Sequence, residues 1–106
     1  MQLRVHHVNQ AASGGSYVVV YDAEVQLKPG SGVVVTIGSV DPPNAAQGLV
    51  AEATQAIQQG AEHVLLPRSK AAHILVRRLV VNSVDFKPDR FAMYTAHELE
   101  KLLTQT

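Results

Sequence analysis

Ile74-Leu75-Val76-Arg77-Arg78-Leu79-Val80-Val81-Asn82-Ser83-Val84 is β-branched and aliphatic, with almost nothing in it that favours a helix. Alternation puts Ile74, Val76, Val80 and Val84 on one face and Leu75, Leu79 and Val81 on the other. Apolar residues on both faces predict a strand inside a sheet, covered at least in part on both sides. The same alternation sends Arg77 and Arg78 to opposite faces. Phe86-Lys87-Pro88-Asp89 then ends the strand, because proline cannot donate to a ladder but suits the first turn of a helix. Asp89 can cap that helix or sit in its first turn. Phe91, Thr95, Leu99 and Leu102/Leu103 recur at helical spacing, and Glu98, Glu100 and Lys101 are left for solvent, so a helix is predicted over 89–103.

Upstream of it, the chain must supply partners for this strand and helix. Gln2 to Asn9 reads as a short strand with Leu3, Val5 and Val8 apolar, and the small residues of 11–16 as a turn. Tyr17 to Lys28 alternates cleanly. Tyr17, Val19, Tyr21, Ala23, Val25 and Leu27 share one face, and Asp22, Glu24, Gln26 and Lys28 the other. Pro29-Gly30-Ser31-Gly32 is a turn signal before a returning strand, Val33 to Val40, which predicts a hairpin of two antiparallel neighbours. After Asp41-Pro42-Pro43, Asn44 and Gln47 have the spacing of a capping box, and Leu49, Ala53 and Ile57 form an apolar stripe. Gly60 is placed to end that helix. Val64-Leu65-Leu66 reads as a short extra strand, and Pro67-Arg68-Ser69-Lys70 as an exposed basic turn. The resulting order is β-β-β-α-β-α. It implies an α+β fold: a two-layer α/β sandwich with two helices on one face of an antiparallel-rich sheet.

The 106 residues suit a single domain with one modest core. Nine basic and nine acidic side chains give a formal charge of zero, which argues against non-specific nucleic-acid binding through a global field. There is no cysteine, hence no disulfide or thiolate chemistry, and no apolar run of membrane-spanning length or signal-peptide character. A soluble cytoplasmic domain, not bound to membrane, is the expectation. Gly14-Gly15 and Gly30-Ser31-Gly32 lack the lysine and following helix of a nucleotide loop. His6 and His7 are adjacent and face opposite ways on a strand, while His63, His73 and His97 are scattered, so neither a metal nor another cofactor is expected. Nothing places a serine, histidine and aspartate together, and catalysis is not expected. The one uneven feature is charge. Arg68, Lys70, Arg77, Arg78, Lys87 and Arg90 hold six of the nine basic residues within 23 positions.

Three stretches together resemble domain IV of elongation factor G, a translational GTPase. Ser13-Gly14-Gly15 followed by Tyr17, then Leu27, Pro29 and Gly30, is similar to that domain's Ser-Gly-Gly loop, aromatic, strand and Leu-x-Pro-Gly turn. The helix over 44–60 follows a proline and ends at a glycine, as the family's does. Arg78-Leu79 and Phe91 with the small residues after it correspond to the final strand and helix. The resemblance implies a ribosomal protein S5 domain 2-like fold and a stand-alone, non-catalytic module associated with the ribosome or RNA. Its contacts would come from Ser13, Gly14, Gly15, Arg68, Lys70 and Lys87, with Ser13-Gly14-Gly15 and the Arg68/Lys70 turn on a common end of the sheet. Three features depart from the family. The loop over 84–87 is short and lacks the family's histidine, no Gly-Gln precedes Tyr17, and 62–70 resembles an insertion. The alternative is a protein-interaction or scaffold domain that reuses the fold without RNA, covering a partner or a second copy with its Val18-Val19-Val20 and Val33-Val34-Val35 segments.

Overall fold

A computed structural model describes residues 1–10 and 15–105. The elements are β1 (Gln2–Asn9), β2 (Tyr17–Pro29), β3 (Val33–Ile37), β4 (Val40–Asp41), α1 (Gln47–Leu65), a 3-10 turn (Leu66–Arg68), β5 (Lys70–Val80) and α2 (Pro88–Thr104). They form one five-stranded mixed sheet with both helices packed on the same face, an α+β arrangement as the sequence implies. β1 and β2 are an antiparallel pair, with Gln2 opposite Glu24 and Asn9 opposite Tyr17.

The expected β2–β3 hairpin does not form. β5 lies between them, antiparallel to β2 and parallel to β3, and the strand order is β1-β2-β5-β3. The turn after β2 therefore steps across a whole strand. Gly30 and Gly32 make that step in left-handed backbone, at φ 109° and 107°, which a side chain would oppose. Hydrophobic burial explains the order: the most aliphatic strand takes a place where both its edges are paired. β4 extends the parallel pairing along β5 beyond Ile37, with Val40 opposite Leu79.

β5 is covered on one face only. Ala72, Ile74, Val76 and Leu79 are buried under the helices, whereas Leu75 on the opposite face is 38 % exposed. Its alternation changes phase in the middle, because Ala23 pairs with Val76 and Asp22 with Arg78, leaving Arg77 as an extra residue. That bulge brings Leu79 and Val81, instead of Val80 and Val84, to the buried face. The strand stops at Val80. The Asn82 side chain then accepts from the backbone N–H of Val84 and Asp85, a turn that leaves Val84 84 % exposed.

Helix α1 is longer than expected and shifted. It starts at Gln47 with Ala46 as its cap and no side-chain cap bond, so the Asn44 capping box does not form. It runs through Gly60 and takes in Val64 and Leu65, where the sequence suggests a helix end and an extra strand. Ala53, Ala56, Ile57, Gly60, Ala61 and Val64 are its buried stripe, a continuous 3.6-residue period. Gly60 is where α2 crosses: a Cβ there would come closer than 3.0 Å to the Ala92 carbonyl oxygen. The glycine serves helix packing, not helix termination. The 62–70 segment is thus the last turn of α1 plus the 3-10 turn.

Helix α2 begins with Pro88 at its first position and the acidic Asp89 in its first turn, favourable for the positive end of the helix dipole. Phe91, Thr95 and Leu99 face inward and are fully buried. With Ala53 and Ile57 they close one core that spans both helices and the sheet; Leu49 is half-buried at its margin.

Candidate functional site

Opposite the helices, the sheet has no covering layer among the described residues. Its residues come from alternate positions of every strand. Across the middle run Arg4, Asp22, Glu24, Arg77 and Arg78. The bulge at Arg77 is what brings both arginines to this face, correcting the expectation that they diverge; the two line one shallow hollow of about 140 Å³ with Gln2, Arg4, Asp22 and Ala23. These charges neutralise one another. Arg4 lies 3.7 Å from Asp22, Arg77 3.6 Å from Glu24 and Arg78 2.5 Å from Asp41. Around them are apolar side chains open to water, Val8 at 46 %, Val34 at 62 % and Leu75 at 38 % exposed. The His73 ring nitrogen Nε2 lies 3.0 Å from the Thr36 hydroxyl, on the β5–β3 side of the same surface.

Those of the residues singled out from sequence that are described do not converge. Ser13 and Gly14 lie outside the described residues. Gly15 is exposed just before Tyr17, and Lys87 caps α2 near the same end of the sheet, where the Val18 N–H donates to the Asp85 carbonyl at 3.1 Å. Lys70 pairs with Pro29, at the far end of the 13-residue β2. At about 3.3 Å per residue the two ends stand roughly 40 Å apart. Gly15, the described member of that loop, and the Arg68/Lys70 turn therefore do not share an end, because the extended β2 separates them; the rest of the expectation lies outside the described residues. Arg68 is also engaged: its guanidinium donates to the Val64 carbonyl at 3.0 Å and to Glu100 at 2.6 Å. The run of basic residues between 68 and 90 is spread by β5 over both ends and the open face.

A polar–aromatic cluster joins β1, β2 and α2 on the helical side. The His7 ring stacks on Tyr94 at 3.9 Å between centroids and 7° between planes, and its Nε2 lies 3.2 Å from the Glu98 carboxylate. The Tyr94 and Tyr17 hydroxyls are 2.6 Å apart, and the Arg90 guanidinium sits 5.0 Å from the Tyr17 ring centre. The hydrogen bond with Tyr17, and after it burial, hold the Tyr94 hydroxyl above its ordinary pKa. Deeper in, Tyr21 and Thr95 share a 2.6 Å hydrogen bond between buried hydroxyls, and burial pushes the Tyr21 pKa well above 10.0. Sequence reasoning missed this cluster. The only signal for it was that His7, Tyr17 and Tyr21 fall on the faces their strands turn to α2. Its groups satisfy one another and tie the helix to the sheet.

Among the described residues, no three histidine, aspartate or glutamate side chains stand together as a cation site, and no helix is long and apolar enough to cross a membrane. Comparison of the chain with protein-family models and with curated proteins finds no match.

Proposed function

We propose that this domain is a non-catalytic protein-interaction module that docks a protein partner on the uncovered face of its sheet. The observation that carries the reading is the make-up of that face. Exposed Val8, Val34 and Leu75 surround arginines that are already paired with Asp22, Glu24 and Asp41. Nucleic acid calls for cations free to neutralise phosphate. A face of mixed apolar area and mutually neutralised charge suits a protein surface better. The absence of cysteine supports a reducing, cytoplasmic setting.

The element order supports a finer assignment to the ribosomal protein S5 domain 2-like topology. Counting the two-residue β4 as a continuation of β3, the chain reads three strands, helix, strand, helix, with β3 and β5 parallel across α1. The resemblance to domain IV of elongation factor G fits that order, and it keeps a ribosome- or RNA-associated role as the competing reading. Its remaining cationic features are Lys87, beside the end that carries Gly15 and Arg90, and the exposed Lys70 at the far end.

Two measurements separate the readings. A photo-crosslinking side chain at Leu75 should capture protein in cells, and the same group at Met93, on the helical side, should capture little. Equal capture from both positions would remove the open face as the docking surface. In a filter-binding titration against ribosomal RNA, no retention is expected at low or high salt. Retention that falls with salt, by a log–log slope of roughly 0.7 to 0.9 per phosphate contact, would favour the RNA reading instead.

A further inference from the structure

We infer that β3 is a self-pairing edge, and that two copies of this chain join β3 to β3 in antiparallel register about a two-fold axis at Val35. The inference builds on the protein-docking reading but uses a sheet edge, not the open face.

The backbone supplies the first observation. Gly32 accepts from the Ala72 N–H at 3.1 Å, and the Gly38 N–H donates to Val76 at 2.7 Å. In a parallel ladder these groups alternate, so the even-numbered residues from 32 to 38 turn their N–H and C=O toward β5. The groups of Val33, Val35 and Ile37 consequently point away from the sheet. Gln58 meets one of them, donating from Nε2 to the Val33 carbonyl at 3.1 Å. No helix, turn or loop bond meets Val35 or Ile37 among the described residues. A row of outward N–H and C=O groups is recognised by one kind of occupant, another extended strand.

Side chains identify that strand as a second β3. Placing Val35 opposite Val35 puts Val33 opposite Ile37 and Val34 opposite Thr36. Each cross-strand pair is then β-branched on both sides, a favourable combination. Edge strands that must stay single usually carry lysine, proline or a bulge, and Val33–Ile37 has none of these. β1, at the other edge, carries Arg4 and two histidines. With a formal charge of zero, two copies meet without net repulsion. A two-fold contact of this kind also closes on itself, since each copy uses its β3 edge against the same edge of the other. It would join the two open faces into one continuous surface, with Val34 at the seam.

Sedimentation velocity of the whole chain over two decades of concentration tests this, alongside hydrogen exchange. The mass should rise from 11.4 kDa to twice that value and stop. In the dimer the Val35 and Ile37 amides should exchange as slowly as those of Val34 and Thr36. Val35→Pro removes an outward N–H without touching the β5 ladder, and Val34→Lys puts a charge at an exposed position beside the seam. Each should weaken the dimer about tenfold or more and restore fast exchange at Ile37, with circular dichroism unchanged. If Val35→Pro disturbs folding, Val34→Lys carries the test alone. A wild-type chain that stays at one monomer mass overturns the proposal, and so does a dimer that both variants leave intact. Mass that grows without a plateau would mean head-to-tail pairing of β3 with β1, and overturns the two-fold. A monomer would leave docking on the open face untouched, whereas equal crosslinking from Leu75 and Met93 would leave the dimer untouched.

Discussion

Tyr21 and Thr95 are buried polar groups that depend on each other. Thr95 is fully buried and its hydroxyl is 2.6 Å from that of Tyr21. Tyr21→Phe should cost about 1–3 kcal/mol, because it strands the threonine hydroxyl away from water. Adding Thr95→Val removes the stranded group and should recover much of that loss. Chemical denaturation of the two single variants and the double variant checks this. The same tyrosine sets an alkaline limit. Its folded-state pKa is raised above the ordinary 10.0, mainly by burial, so the folded state keeps a proton that the unfolded chain releases. The contribution is whole below pH 10.0 and is lost as pH rises above it. Denaturation midpoints should fall above that pH in the wild type, and less steeply in Tyr21→Phe.

Where α1 crosses α2, a glycine decides how close the helices come. Alanine is the better helix former by roughly 1 kcal/mol, so Gly60→Ala would stabilise an isolated helix. Here its Cβ would run into the Ala92 carbonyl oxygen, which is backbone and cannot swing aside. The helices would have to separate, and Gly60→Ala should lose about 1–3 kcal/mol net. Gly48 is the control, because a methyl group there would have nothing within 4 Å. Gly48→Ala should be neutral or stabilising. Thermal melts of the two variants should move in opposite directions, or at least differ by several degrees.

Across the molecule, which is 41 Å along its longest axis, one core holds two helices to a sheet. Phe91 stands at its centre, fully buried, with the Phe86 ring centre at 5.5 Å and the Tyr21 ring centre at 6.4 Å. Phe91→Ala should cost about 3–5 kcal/mol. A domain of this size has roughly 5–15 kcal/mol of stability in total, so the variant should unfold at markedly lower urea and stand close to the threshold for folding at all. The same length separates the cations that are close in sequence. Arg68 and Lys87 differ by 19 positions, but β5 carries the chain from one end of the sheet to the other between them.

Local chemistry was enough to determine most of the elements. Alternation marked β2, proline and helical spacing marked α2, and Val-rich runs marked β3 and β5. Phe91, Ile57, Ala53 and Leu99 were legible as core for the same reason: a helix or strand has one period, and apolar residues in phase with it must share a face. What the tertiary structure decided were relations between elements. β5 displaces β3 from β2 because pairing both edges of the most aliphatic strand is worth more than a short hairpin, and no local pattern encodes that comparison. Gly60 resembles a helix stop in the sequence because its role depends on Ala92, 32 residues later. The bulge at Arg77 turned two arginines onto one face, and β2 set Lys70 and Gly15 at opposite ends. The open face and the bare edge of β3 exist only once the strand order is known, since exposure belongs to the packed sheet and not to the strand.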